Sequence, residues 1–245
     1  MKKCLIFIFS LISIIGNAQI ITNDAKKEET KKVKEDKFEI KTPRGTELYF
    51  GVSPAYTYRT LEVNEGIFAQ PIGERENETA LWTTGFNIGV RNKISDFLKL
   101  EFGVGYSSNK EAYDYTQSDS VFKYNNTYRS ISFPIRLAYT YGDEISFYGG
   151  IGIIPQAFIS MKHEETTLDI NKNEQTIKTI ERDKFNMFLI DAVATVGTQV
   201  KLNHRYGVFA MVEARRQLNN NFTSQSPYIR KPFALGFNLG IEIYL

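Results

Sequence analysis

The sequence predicts an all-β protein: an eight-stranded antiparallel transmembrane β-barrel with short periplasmic turns and long extracellular loops. In the last stretch, residues 233–245, large apolar residues occupy every odd position and small, polar or amphipathic residues every even one. This period of two is typical of a strand with two different faces. Seven earlier stretches repeat the alternation, joined in turn by long polar segments and short turns, as in outer-membrane barrels.

The first 19 residues have the features of an export signal. Lys2 and Lys3 precede an apolar run that is too short to cross a membrane as a helix. A small-residue segment then predicts cleavage between Ala18 and Gln19. Cys4 stands at the start of the apolar run, where a lipoprotein cysteine does not occur. We therefore expect a signal peptide over 1–19, a charged periplasmic linker over 20–45 and the barrel over 46–245.

Composition excludes several function classes. Removing the signal removes the single cysteine, so we expect no disulfide, thiolate nucleophile or cysteine-based metal site. The formal net charge is only +2, with 30 basic and 28 acidic residues, which does not suggest a nucleic-acid binder. The segment 23–46 is highly charged and favours a solvated linker over a docking segment for a periplasmic partner.

The predicted strands follow one another from residue 47 to the end of the chain. Their bounds are 47–59, 82–91, 98–107, 130–139, 145–159, 188–202, 206–217 and 233–245. The polar stretches 61–80, 108–127, 161–184 and 218–231 then become the extracellular loops, and Gly142-Asp143 predicts a tight turn. Proline cannot donate to a strand ladder, so we expect a bulge or a ladder break at Pro134.

A soluble eight-stranded barrel of lipocalin type is the alternative fold. Its small interior would have to hold all the large apolar side chains, whereas the opposite faces of these strands are rich in glycine and polar residues. Aromatic residues near strand ends also fit the girdles of membrane barrels. These residues are Tyr56, Tyr58, Trp82, Tyr106, Tyr128, Tyr139, Tyr141, Tyr206 and Tyr244.

Charged residues on the inward faces fall into two predicted levels. The level toward the periplasm contains Glu47, Arg91, Glu101, Arg136 and Glu242. The level toward the outside contains Arg59, Asp191, Glu213 and Arg215. The interior of an eight-stranded barrel is just wide enough for side chains. We therefore expect paired charges that plug the barrel, in preference to an ion or proton path.

The stretch Ser132-Phe-Pro-Ile-Arg-Leu-Ala-Tyr139 and the glycine-rich stretch 147–152 resemble strands of a known family. This is the PorT-like group of eight-stranded outer-membrane barrel proteins of the Bacteroidota, related in architecture to OmpX and OmpA. The resemblance covers 46–245 and implies an outer-membrane location and a role in a protein secretion apparatus. Similarity to other outer-membrane proteins implies that the barrel-assembly machinery recognises the end of the chain: Ile241, Ile243, Tyr244 and Leu245. Leu245 departs from the terminal Phe usual in that wider class.

An enzymatic alternative comes from resemblance to barrel enzymes that act on lipid A and use a His near the outer rim. Here that residue is His163, beside Ser160, Glu164 and Glu165, and His could act as a general base. We expect a solvated loop histidine instead, and place His204 in a periplasmic turn. Since no metal spacing, phosphate loop or nucleophile elbow is present, we predict no catalytic residue, cofactor or metal.

The expected function is that of a non-enzymatic barrel that serves envelope structure, or binds a surface or partner through its loops. Aromatic residues in or beside the second loop could be contact anchors, loop-packing residues or part of the girdle: Tyr113, Tyr115, Phe122, Tyr124 and Tyr128. Alternatives are a PorT-like secretion component, a narrow passive channel and an outer-leaflet lipid-modifying enzyme. Expected partners are outer-membrane lipid, the barrel-assembly machinery and a secretion-apparatus or surface protein. We expect the barrel to be monomeric and to bind no nucleic acid.

Overall fold

The computed structural model describes residues 45–58, 61–63, 78–117, 120–168, 173–224, 226 and 228–245. Its strands are β1 Thr46–Tyr58, β2 Leu61–Val63, β3 Glu78–Lys93, β4 Leu98–Gln117, β5 Ser120–Ser132, β6 Ile135–Tyr141, β7 Ile145–Leu168, β8 Glu174–Glu181, β9 Phe188–Lys201, β10 Tyr206–Gln217, β11 Tyr228–Arg230 and β12 Phe233–Tyr244. The predicted signal, its cleavage residues Ala18 and Gln19, nearly all of the linker, and Arg59 lie outside these ranges.

Eight antiparallel strands close into a ring in the order β1, β3, β4, β5 with β6, β7, β9, β10 and β12. The last strand pairs with β10 and with β1, where Glu47 lies opposite Tyr244 and Tyr58 opposite Phe233. The sheet therefore has no free edge within this ring. The prediction of an eight-stranded antiparallel barrel is confirmed, and its last strand, 233–245 in the sequence prediction, closes the ring.

The two faces of the ring differ in polarity as the alternation predicts. Large apolar side chains such as Phe50, Phe86 and Phe237 are exposed on the outside. Inward side chains are mostly small, polar or charged. An apolar exterior around a polar interior is the arrangement of a transmembrane barrel and the reverse of a lipocalin. The chain is an outer-membrane β-barrel. In the part of the chain that is described, no helix has the length and apolar character needed to cross a membrane.

Short turns join the strands at one end of the barrel, at 94–97, 142–144 and 202–205. Gly142 has a φ of 117°, a backbone conformation that glycine adopts without strain. The predicted turn at Gly142-Asp143 is thus confirmed. Because short turns face the periplasm in barrels of this class, this end is the periplasmic one.

The second and third predicted loops are wrong for most of their length. β4 continues to Gln117 and pairs with β5, and β7 continues to Leu168 and pairs with β8. Side chains there still alternate between the inner and outer faces of the sheet. Both sets are rich in tyrosine, asparagine and charged residues, so a search for alternating apolar residues does not detect these strands. Tyr113 and Tyr124 face each other across β4 and β5 with ring centroids 5.3 Å apart. Outside the ring, β2 and β11 form a separate two-stranded sheet.

Pro134 lies in the gap between β5 and β6, so the predicted ladder break is confirmed. No residue is inserted there, because Ser132 pairs with Gly105 and Ile135 with Phe102 in one continuous register. A register shift occurs instead between Arg129 and Ser130, opposite the β7 segment that contains Ile159. This shift lies outward of the proline.

Candidate functional site

The centre of the barrel is occupied by a buried ion-pair network. Arg91 on β3 lies directly opposite Glu101 on β4, and its Nε donates to Glu101 Oε2 at 2.7 Å. The Arg91 Nη1 forms an ion pair with Glu242 of β12. All three side chains have 0% relative exposure. Burying a charged side chain away from water costs several kcal/mol unless the charge is paired. Here each charge has a partner of opposite sign.

The network extends from this centre in both directions. Toward the outside, Arg136 lies 3.1 Å from Glu101 and donates from Nη1 to Glu213 Oε2 at 3.1 Å. Glu213 is also paired with Arg215. Toward the periplasm, Gln199 donates to Glu242 at 2.9 Å. Lys99 lies 3.4 Å from Gln199 Oε1 and forms an ion pair with Glu47.

Aromatic rings fill the space around these charges. The guanidinium of Arg91 lies 4.5 Å from the ring centroid of Tyr49 and 4.6 Å from that of Phe209. Tyr148 donates its hydroxyl to Glu101 at 2.9 Å. Gly89 makes room for this packing, since a Cβ there would lie 2.6 Å from the Tyr49 hydroxyl oxygen. Charged and aromatic side chains together fill this section of the lumen.

A small polar cavity of about 40 Å³ lies outward of the network. Asp191 lines it and accepts a hydrogen bond from Gln156 Nε2, whose Oε1 accepts from Ser107. The second oxygen, Asp191 Oδ1, has no hydrogen-bond partner among the described residues. This volume has room for only a few water molecules.

A second buried pair lies near the extracellular end, and the sequence reasoning missed it. Arg230 donates from Nε to Glu111 Oε2 at 2.9 Å, and its guanidinium lies 3.7 Å from the ring centroid of Tyr128. Tyr128 donates its hydroxyl to Glu111 at 2.8 Å. Glu111 could have been found by extending the alternation of Ser107 and Asn109. The segment around Arg230 carries no periodic signal.

Beside this pair, the strands that extend beyond the barrel form an aromatic cleft of about 240 Å³. We define the cleft by its lining residues Phe122, Tyr124, Met161, Phe222 and Tyr228, with Asn126, His163 and Glu181 as polar groups. Close to it, Lys162 and Lys178 lie 2.7 and 3.2 Å from Glu164. Their hydrogen bonds hold the pKa of that partly exposed carboxyl below its usual value.

The predicted interior charges form a different arrangement from the two levels expected. Seven of them are buried in the lumen: Glu47, Arg91, Glu101, Arg136, Asp191, Glu213 and Glu242. Arg215 is partly exposed, and Arg59 lies outside the described residues. The Arg136–Glu213 pair joins the two levels into one network, while Asp191 stands apart beside Gln156. Lys99 belongs to the network and was missed, although it shares a face with Glu101.

Two residues assigned to the aromatic girdle lie inside the barrel. Tyr128 is buried against Arg230, and Tyr244 projects inward and donates its hydroxyl to Glu242 at 3.1 Å. Inward placement of Tyr128 follows from its pairing with Asn109 on the inner face of β4. The other predicted terminal-signal residues lie outward or at the end of β12: Ile241, Ile243 and Leu245.

The histidine of the enzymatic alternative lies in the aromatic cleft. His163 Nδ1 is 2.6 Å from Asn126 Oδ1, and its Nε2 is 3.3 Å from Glu165 Oε2. Ser160 pairs with Arg129 on the outer face of the sheet, whereas His163 pairs with Asn126 on the inner face. Ser160 and His163 therefore project from opposite faces of β7. Within the described ranges, no group of three or more His, Cys, Asp or Glu residues is placed to hold a metal ion.

No protein-family model and no curated protein matches the sequence. Among solved structures, the chain is similar to outer membrane protease OmpT from Escherichia coli, with 9% identity, 83% of this chain and 98% of that chain covered, and a TM-score of 0.43. It is similar to outer membrane protein OprG from Pseudomonas aeruginosa (10% identity, 82% and 95% covered, TM-score 0.40). It is also similar to Neisserial surface protein A, NspA, with 12% identity, 81% of this chain and 97% of that chain covered, and a TM-score of 0.40. At these values the likeness assigns no activity, substrate or partner to this chain.

Proposed function

We propose that this chain is a non-enzymatic outer-membrane barrel with a closed lumen, and that its extracellular strands bind a surface or protein partner. The observation that carries the proposal is the continuation of β4, β5, β7 and β8 beyond the apolar belt as a hydrogen-bonded sheet. This sheet supports the aromatic cleft. Binding groups on a rigid scaffold lose little freedom when a partner docks, which favours recognition.

The chemistry of the cleft supports contact with an apolar or aromatic group of a partner. Tyr124 and Phe122 pack edge to face with ring centroids 5.9 Å apart. Asn126, His163 and Glu181 add hydrogen-bonding groups around them. Aromatic side chains with a few polar neighbours are enriched at recognition surfaces. The buried network supports the same proposal, because a filled lumen leaves the outer surface of the barrel as the part available for binding.

Site-specific photo-crosslinking in intact cells tests the proposal. A photoreactive amino acid at Phe122 or Tyr228 should capture a defined protein, identified by mass spectrometry. The same group at Tyr141, exposed at the periplasmic end, is the matched control and should not capture it. Absence of any adduct from both cleft positions would contradict the proposal.

A PorT-like secretion component is the second candidate, favoured by the resemblance of residues 132–139 and 147–152 to strands of that group of the Bacteroidota. Crosslinking from Tyr141 or Leu202, which are exposed near periplasmic turns, would then capture subunits of the apparatus. Deletion of the chain should also block export of the secreted proteins. Normal export after deletion would remove this candidate.

The remaining alternatives have less support. A narrow channel would need a path through the section where Arg91, Arg136 and Tyr148 are fully buried. A lipid-modifying enzyme would need a nucleophile for His163, and Ser160 projects from the other face of the strand. We expect the lipid A mass spectrum of cells carrying His163→Ala to match that of the wild type; a changed spectrum would favour the enzyme.

A further inference from the structure

We propose that the outer wall of the barrel binds a phosphate group of an outer-leaflet lipid in a notch between β3, β4 and β5. The notch has a volume of about 370 Å³, within the range of small-ligand sites. Its lining includes Trp82, Thr84, Ser108, Lys110, Thr127 and Arg129. It lies on the wall of the barrel, apart from the lumen and from the aromatic cleft.

The two cations of the notch project away from the lumen. Lys110 pairs with Thr127 across β4 and β5, and Ser108 pairs with Arg129. Directly paired residues share a face, and neighbours along a strand point to opposite faces. Glu111 and Tyr128, the next residues along the two strands, are buried inside the barrel. Lys110 and Arg129 therefore face the surroundings of the barrel.

The notch lies at the upper margin of the apolar belt. Tyr106, which also lines the notch, pairs with Ile131 and stacks on Phe86 with ring centroids 5.6 Å apart. Trp82 of the lining is 56% exposed, and its ring centroid is 5.6 Å from that of Tyr56. Tryptophan and tyrosine gather at the height of lipid headgroups. Lys110 and Arg129 are therefore next to headgroups.

A local interruption of the sheet forms the recess. The register between β3 and β4 shifts between Ala80 and Phe86. Thr57 of β1 spans this gap: its hydroxyl donates to Leu81 O at 3.1 Å and accepts from Lys110 N at 2.9 Å. The hydroxyls of Thr83 and Ser108 are also hydrogen-bonded across it. The recess is thus built from strand residues in defined positions.

Charge distinguishes these two cations from others on the same face. Neither Lys110 nor Arg129 has a carboxylate within ion-pair distance in the described part of the chain. By contrast, Lys123 pairs with Asp114 at 3.4 Å, and Lys162 and Lys178 pair with Glu164. A guanidinium and an ammonium with no carboxylate partner among the described residues, beside hydroxyl groups at the membrane surface, match a phosphate monoester in charge and hydrogen bonding.

The test measures lipid binding by the full-length protein with native mass spectrometry, using bisphosphorylated lipid A as the probe. The variant Lys110→Gln/Arg129→Gln should bind it about tenfold more weakly, as expected when charge-assisted hydrogen bonds are lost. The control Lys123→Gln/Lys178→Gln removes two paired cations and should bind like the wild type. Heat-modifiable migration on gels verifies folding. If the double variant does not fold, Lys110→Gln alone serves and should also bind the lipid more weakly than the wild type.

Two further ligands identify the source of the phosphate. Dephosphorylated lipid A should bind the wild type about tenfold more weakly than the bisphosphorylated form, because the acyl chains remain and the charged contacts do not. Inorganic phosphate alone should also bind more weakly, since it lacks acyl chains to cover Phe86 and Trp82. Equal binding of the two lipids, equal loss in the paired-cation control, or binding of inorganic phosphate as tight as that of the lipid would each overturn the proposal.

Discussion

Arg91 donates to Glu101 at 2.7 Å across β3 and β4, although neither side chain is exposed. The carboxylate of Glu101 also accepts from Tyr148 at 2.9 Å and lies 3.1 Å from Arg136. Glu101 therefore contacts two buried guanidiniums, each of which has a second carboxylate partner, Glu242 for Arg91 and Glu213 for Arg136. Removing one partner of a buried pair costs more than the pair contributes, because the other charge is left without compensation.

The first prediction follows for Glu101→Gln. Its neutral amide leaves Arg91 and Arg136 short of negative charge, so the free energy of unfolding should fall by about 3–5 kcal/mol. Urea unfolding of the barrel in detergent, followed by tryptophan fluorescence, measures this loss. Asp96→Asn is the control, because Asp96 pairs with Lys93 on the exposed surface and its loss should leave the midpoint nearly unchanged. Equal shifts of the urea midpoint for the two variants would show that the buried ion pairs of Glu101 stabilise the barrel no more than the exposed Asp96–Lys93 pair.

The second prediction concerns the backbone contact that makes room for Tyr49. A Cβ at Gly89 would lie 2.1 Å from Phe102 O and 2.6 Å from the Tyr49 hydroxyl oxygen. Gly89→Ala should therefore destabilise the barrel by about 1–3 kcal/mol, the usual cost of overpacking. At Gly149 the nearest neighbouring atom would be 3.7 Å away, so Gly149→Ala should be tolerated. A Gly89→Ala protein as resistant to urea as Gly149→Ala would refute this account.

The alternation of apolar and small residues was sufficient to predict the ring of strands and its closure. The pattern is strong because every ring strand has lipid on one side and a narrow lumen on the other. The same reasoning placed Arg91, Glu101 and Arg136 on inward faces. It could not predict which charges meet, because pairing across the lumen depends on strand stagger and side-chain length. Arg136 reaches Glu213 from the opposite wall for this reason.

The extracellular extensions were missed for a different reason. Above the membrane both faces of β4 and β5 consist largely of tyrosine, asparagine, serine, threonine and charged residues, so apolar and polar residues no longer alternate along the strands. Tyr113 and Tyr124 are instead stabilised by stacking across the strands. Arg230 follows an irregular segment, and only the fold brings it to Glu111, 119 positions away in the sequence. The local periodicity of a sequence does not predict ion pairs between residues so far apart in the chain.

The third prediction concerns ion conductance through the barrel. Because Arg91, Tyr49 and Phe209 fill the middle of the lumen, the purified protein should give no stable single-channel conductance in planar bilayers. A known channel-forming protein inserted into the same bilayers verifies that openings are detectable. Reproducible openings of the wild-type barrel would contradict the closed lumen and support the passive-channel alternative.

The last prediction concerns the closing strand. Deleting 241–245 removes the pairing of β12 with Glu47–Phe50 of β1 and with Tyr206–Val208 of β10, and also removes the Glu242 partner of Arg91. The edges of β1 and β10 would then be open over that length. We expect no heat-modifiable, protease-resistant barrel from this truncation, either in cells or after refolding in detergent.

Leu245→Ala separates the structural role of this end from its predicted role as an assembly signal. Leu245 lies after β12, is 56% exposed and contributes a backbone hydrogen bond to Thr46 O at 3.0 Å. That backbone bond survives the substitution, so the variant should refold in detergent as readily as the wild type. If the barrel-assembly machinery reads this residue, the variant should accumulate unassembled in cells. Normal assembly in cells would remove Leu245 from the signal, whatever the truncation does.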